Sequence, residues 1–148
     1  MNTSSEYKLI SANNSLRQAI IDLLQENDLP VSDLDESKEL FAIFQNDEIV
    51  GTGGLEFFGN CALLRSVSVR KDLQRKGLGK IISRELEKIS KQRGVDCLYL
   101  LTTTAKTFFI NEGYEVINRE EAPLSIKHTS EFTSLCPSSA TVMRKILT

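Results

Sequence analysis

The feature that most constrains the fold is a change of hydrophobic period between residues 62 and 89. Over 62–69 the side chains alternate, with Leu64, Ser66 and Ser68 on one side and Leu63, Arg65, Val67 and Val69 on the other. That two-residue period predicts a strand. From Leu78 the apolar residues Leu78, Ile81, Ile82, Leu86 and Ile89 recur near every 3.6 residues, and Gly94 stands where a helix C-cap belongs. A second apolar run at 97–101 follows, so 62–101 reads as a β-α-β unit with parallel strands and a right-handed crossover. The helix stripe is core packing, and Lys88, Lys91, Gln92 and Arg93 form its solvated end.

Around this unit the chain alternates between strand and helix signals. A short strand at 7–10 precedes a helix carrying Leu16, Ala19, Ile20, Leu23 and Leu24, with Asn13, Asn14 or Ser15 as its cap. Strands at 40–44 and 49–57 flank the Asn46-Asp47 turn, and Gly59-Asn60 leads into 62–69. Three strands on short turns predict an antiparallel meander. After 97–101 come a short helix at 104–111, a strand at 114–118, an irregular stretch at 123–139 and a final strand at 141–146. The expected order is β-α-β-β-β-α-β-α-β-β. The fold class is α/β of the α+β kind, with a mixed, mostly antiparallel central sheet of about six to seven strands and helices on both faces.

A chain of 148 residues fits one domain over 1–148. The net charge of −2 argues against a nucleic-acid partner, which requires a basic face. No apolar run approaches the roughly 20 residues of a membrane span, and 1–15 lacks a signal-peptide core, so the expected location is cytoplasmic. Cys61, Cys97 and Cys136 lie far apart, and His128 is the single histidine. No metal centre and no histidine-based triad is expected from that set.

The chemistry is expected in the turn between strand and helix. Helix N-termini carry unpaired amides and partial positive charge. Gly77 and Gly79 let a phosphate approach the backbone, while Arg75, Lys76 and Lys80 add charge beside Leu78. A tight turn with solvated lysines is the bland alternative. A P-loop would need glycine at 74 and Ser or Thr at 81, where the chain has Gln74 and Ile81. A dinucleotide fingerprint would need glycine at 82, where Ile82 stands.

Gln74-x-x-Gly77-x-Gly79 resembles the acetyl-coenzyme A signature of the GCN5-related N-acetyltransferase (GNAT) superfamily, and Glu112-Gly113-Tyr114 is similar to its Gly-Phe element. Gly54-Leu55-Glu56, Ala62-Leu63-Leu64-Arg65-Ser66-Val67, the run from Leu98 to Ala105 and the run from Phe132 to Ala140 resemble the N-acetyltransferases found with arsenic-resistance genes. The resemblance implies the acyl-CoA N-acyltransferase fold, acetyl-CoA as co-substrate, no metal, and detoxification of a small amino-acid-like amine such as phosphinothricin or its arsenic analogue, arsinothricin. It further implies that strands 62–69 and 97–101 splay to admit the pantetheine arm, which bonds the backbone near Val67 and Val69 and touches Thr102 or Thr104.

Glu56 is the candidate general base, with an exposed strand residue or a structural pair to Arg65 as its alternatives. Arg65 is a candidate grip on a substrate carboxylate or phosphinate, or a salt bridge that fixes the sheet. Cys136 is a candidate lining residue of the acceptor pocket, with a buried loop cysteine as the alternative. Where relatives carry a tyrosine as thiolate acid the chain has Phe109, and Thr102 replaces a frequent asparagine. Tyr99 and Tyr114 are the other hydroxyl donors. A peptide acceptor, or an acyl-CoA sensor without turnover, stay open beside the small-molecule enzyme. Pairing of two copies through strand 141–146 as a sheet edge is also expected.

Overall fold

In a computed structural model, residues 7–29, 31–34, 38–135 and 139–147 are described. They build strands β1 (Lys8–Ser11), β2 (Glu39–Gln45), β3 (Glu48–Phe58), β4 (Cys61–Val69), β5 (Cys97–Thr102), β6 (Glu115–Ile117) and β7 (Thr141–Ile146). The helices are α1 (Asn14–Glu26), α2 (Leu78–Gln92), α3 (Lys106–Asn111) and α4 (Leu124–Lys127). One mixed sheet runs β1-β2-β3-β4-β5-β7-β6. Every pairing is antiparallel except β4 with β5. The expected fold class, meander and β-α-β unit are therefore present.

Each sheet face buries its own helices. On one face, Leu78, Ile82 and Leu86 of α2 pack with Phe41, Ile43, Leu55, Leu64, Leu98 and Leu100. Gly51 and Gly53 make this approach close enough. A Cβ on Gly51 would lie 2.7 Å from the Ile82 Cδ1, and one on Gly53 2.6 Å from the Leu86 Cδ1. The glycines that read as loosening strand 49–57 are thus the seat of the helix. On the other face, Ile20 and Leu24 of α1 cover Leu40 and Ala42. Further along, Ile126 and Phe132 cover Leu63, Tyr99 and Val142. The Asn13 side chain caps α1 by accepting from the Leu16 amide at 2.9 Å.

Three expectations need correction. The stretch 123–139 is not wholly irregular: α4 and a π-helical turn at Glu131–Leu135 lie in it. Their short apolar sequences have no full amphipathic period, and packing on the sheet decides their shape. Strand 141–146 is not an edge, because β7 pairs with β5 on one side and β6 on the other. The third correction concerns β4. Ser66 has φ +57 and makes a bulge, with the register against β3 shifting between Thr52 and Gly54. A one-residue slip turns every later side chain over. Val67 and Val69 therefore pack with Leu64 against the α2 face, not with Leu63 and Arg65.

Candidate active site

The bulge prepares the site. β4 and β5 pair only from Cys61↔Cys97 to Leu63↔Tyr99, although both strands continue beyond. Past that point they diverge, as the resemblance implied. The gap is a cleft of about 680 Å³ between β4 residues 64–69 and residues 100–105, with Phe108 and Phe109 of α3 alongside. Thr52 Oγ1 donates to the Ser66 carbonyl at 2.7 Å and so holds the bulge. Asn27, at the C-cap of α1, donates through Nδ2 to Ser68 Oγ and, at 3.1 Å, to the Val69 carbonyl.

One end of the cleft is made by the main chain. Gln74 and Arg75 line it, and Gln74 Nε2 donates to the Val69 carbonyl at 3.1 Å, which pins the turn to the end of β4. Gly77 caps α2 with φ +86, a left-handed conformation that glycine adopts without strain. The amides of Leu78, Gly79 and Lys80 open the helix and have no acceptor within it. The Leu78 side chain points away into the core at 2% exposure. Arg75, Lys76, Gly77 and Lys80 are exposed. Gly79 lines the cleft, and a Cβ there would meet only the Phe108 ring, at an ordinary 3.4 Å. Protein neighbours therefore do not require glycine at 79.

The other end is made by buried charge. Arg65 has a fully buried side chain and faces three carboxylates. Its Nη1 and Nη2 donate to Asp33 at 2.5 and 2.7 Å, and Nη1 also donates to Glu56 Oε2 at 3.1 Å. Glu131 Oε2 stands 3.5 Å from Nη2. Burial disfavours the arginine's charge, but the Asp33 hydrogen bond and the fields of Glu131 and Asp33 outweigh it and raise its pKa. Burial pushes the Glu131 carboxyl up to about 7; Arg65 pulls it down while Asp33 and Glu56 push it further up. Of this cluster only Arg65 and Glu131 line the cleft. The pair with Arg65 raised as an alternative for Glu56, and the salt bridge raised for Arg65, are both present.

The remaining sequence candidates are spread more widely. Thr102 and Thr104 line the cleft, and Thr102 Oγ1 accepts from the Ala105 amide at 2.9 Å. That bond delays the start of the helix expected at 104 to Lys106. Phe109 lines the cleft without a hydroxyl. Tyr99 and Tyr114 do not line it. Burial pushes the Tyr99 phenol up to about 12, helped by a hydrogen bond with Cys97, and pushes Tyr114 up as well. His128 is exposed. Cys136 lies outside the described residues. Cys61 and Cys97, remote in sequence, are register partners on β4 and β5. Among the described residues no group of three or more His, Cys, Asp or Glu is arranged to hold a metal ion; the three carboxylates close on Arg65 instead.

Sequence reasoning missed Asn27, Asp33, Ser66 and Glu131. Asp33 and Glu131 are acids in loop-like stretches, a pattern shared with solvated residues. Ser66 occupies a left-handed position without the glycine or asparagine that would signal one.

A model of the acetyltransferase (GNAT) family matches residues 8–109. The uncharacterised protein YyaT of Bacillus subtilis (strain 168) is 31% identical over 96 residues, covering 64% of this chain and 65% of YyaT. The chain thus spans about two thirds of that relative. Among solved structures, Rv2747 from Mycobacterium tuberculosis, in complex with CoA and NLQ, superposes with a TM-score of 0.80 at 19% identity over 95% of this chain and 99% of that one. N-acetylglutamate synthase from Neisseria gonorrhoeae, complexed with coenzyme A and L-arginine, also gives 0.80, at 14% identity over 95% of this chain and 33% of the synthase.

Proposed function

The chain belongs to the acetyltransferase (GNAT) family, and we propose that it is a cytoplasmic enzyme that transfers the acetyl group of acetyl-CoA to the primary amine of a small molecule. The observation that carries this reading is the cleft itself. It runs from the amide-rich start of α2, through the gap between β4 and β5, to the Arg65 cluster. An anionic diphosphate suits the first end and an amine suits the second.

The residues fit acetyl-CoA on two counts. Gly79 lines the cleft and puts no side chain into it. Asn27 Oδ1 is a buried acceptor without a partner among the described residues, beside the wall where the amide-bearing arm would lie. The amides of residues 78–80, with Arg75, Lys76 and Lys80, would hold the diphosphate. Backbone groups near Val67 would meet the arm and polarise the acetyl carbonyl. The Val69 carbonyl already accepts from Asn27 and Gln74, so it serves the turn first. When bound, the thioester supplies an activated acetyl group. The protein's own work is to align it with the amine and to accept a proton. Phe109 leaves the departing thiolate to water, which a thiol pKa of about 8.5 tolerates.

The acceptor is a small amine, in the finer reading an amino-acid-like toxin of the phosphinothricin or arsinothricin type. That reading rests on the resemblance of the 132–140 segment, and it carries a structural condition. The Arg65 fork is filled by Asp33, so an anionic group on the acceptor would have to displace a carboxylate to reach it. Phe109 favours one second reading, an acyl-CoA sensor without turnover. Thiol release from acetyl-CoA with amino acids, phosphinothricin, arsinothricin, polyamines and a lysine peptide tests both. Turnover with the phosphinic or arsinic amino acids supports the finer reading, and turnover with the peptide alone replaces it. Tight acetyl-CoA binding with no turnover across the panel leaves the sensor.

A further inference from the structure

We propose that Glu131 is the general base of this site, the group that removes the proton from the acceptor amine, and that Asp33 and Glu56 serve to hold Arg65 beside it. The inference rests on the acetyltransferase reading and assigns a residue within it.

The three carboxylates are held differently. Asp33 takes two guanidinium hydrogens, and Glu56 takes one at 3.1 Å. Glu131 approaches no closer than 3.5 Å and is bound through one oxygen. It is also the only one of the three whose residue lines the cleft. Glu56, which the sequence favours, is as buried as Glu131, but it does not line the cleft and its carboxylate accepts from Arg65. Asp33 and Glu56 neutralise the arginine and leave Glu131 available. The fold delivers Glu131 through the π-helical turn packed beside Phe132, which is buried against Leu63 and Tyr99. The turn around it is closed by the Thr133 amide and the Thr133 hydroxyl, which both donate to the Thr129 carbonyl.

The step balances as follows. The neutral amine nitrogen bonds the acetyl carbon and the carbon–sulfur bond breaks. The sulfur leaves with its electron pair and takes a proton from water, while the amine proton passes to a Glu131 carboxylate oxygen and then to solvent.

The charged groups facing Glu131 among the described residues are Arg65 on β4, Asp33 in segment 31–34 and Glu56 on β3. Their balance, with burial, keeps the carboxyl near 7, a value suited to accepting a proton at neutral pH. The ionised form is the active one, so below that value Glu131 should add a further tenfold fall in kcat/KM per pH unit to the fall set by protonation of the acceptor amine.

The test is the pH profile of thiol release for the wild type, E131Q, E131D and E56Q, with acetyl-CoA affinity measured by calorimetry on each. E131Q is expected to lower kcat/KM by roughly 10²- to 10⁴-fold, to lose the acidic limb at about 7 while keeping the fall set by the amine, and to bind acetyl-CoA as the wild type does. Should E131Q fail to fold, E131D decides: a reduced rate that keeps the acidic limb supports the assignment, and an unchanged rate overturns it. An E131Q enzyme that keeps its rate and limb overturns Glu131 while the acetyltransferase reading stands, and an E56Q enzyme that alone loses the limb passes the role to Glu56. A wild type that binds acetyl-CoA but acetylates no amine at any pH overturns the activity, and the base assignment falls with it.

Discussion

The two ends of the cleft are built on opposite principles. The α2 end is one contiguous stretch, Val69 to Lys80, and its working groups are backbone amides and a left-handed glycine. The Arg65 end draws on Asp33, Glu56, Arg65 and Glu131 from four separate segments, and its working groups are buried side-chain charges. In the proposed function the first would bind through dipoles that every peptide chain carries, so most side-chain changes there should be tolerated. The second holds formal charges away from water, where each group depends on the others. A local, solvated site is robust and generic, whereas a distributed, buried one is fragile and specific.

The most severe way to probe the contrast is Arg65→Met. It strands three carboxylates in a buried space, and removal of one member of a buried ion network typically costs about 3–5 kcal/mol. Urea denaturation should show that loss, larger at pH 8 than at pH 5, where the carboxyls can take up protons. A loss under about 1 kcal/mol would mean that the cluster is effectively solvated. Next in size is a pH effect. Glu131 keeps its proton to about pH 7 in the folded protein, whereas the unfolded chain releases it near 4.3. Between those values the folded state binds more protons, so its stability falls as pH rises. Glu131→Gln should therefore gain stability relative to wild type from pH 5 to pH 8, on the order of 2–3 kcal/mol. A constant difference across that range would remove the raised pKa.

At the other end the effects should be smaller and confined to the ligand. Gly79→Leu adds a bulky side chain at the cleft wall beside Phe108 and should weaken acetyl-CoA binding by at least about tenfold, or 1.4 kcal/mol, with the melting temperature nearly unchanged. Equal affinity would place the diphosphate elsewhere. Gly77→Ala imposes a side chain on a left-handed residue and should cost about 1 kcal/mol of stability. A neutral result would show that the cap relaxes freely.

How much was legible follows the same division. The signature Gln74, Gly77 and Gly79, the helix stripe of Leu78, Ile82 and Leu86, and the β-α-β unit could all be read because each is a pattern over neighbouring residues. Two local readings failed where a single residue carried the information. Ser66 turns Val67 and Val69 to the α2 face through a bulge, and nothing in its identity announces a positive φ. Strand 141–146 looked like an edge because it comes last in the chain, yet it enters between β5 and β6.

By itself the sequence determined the seven strands, the long helices, the amide-rich start of α2 and the family to which they belong, because hydrophobic period, glycine placement and helix termini act over short distances. Tertiary structure alone decided that Arg65 is ringed by Asp33, Glu56 and Glu131, that Asn27 braces the end of β4, and that Cys61 stands in register with Cys97. The physical reason is that burial and charge pairing are properties of position in space. A glutamate in a polar loop is indistinguishable in sequence from one facing solvent, until the sheet and its covering turns close over it.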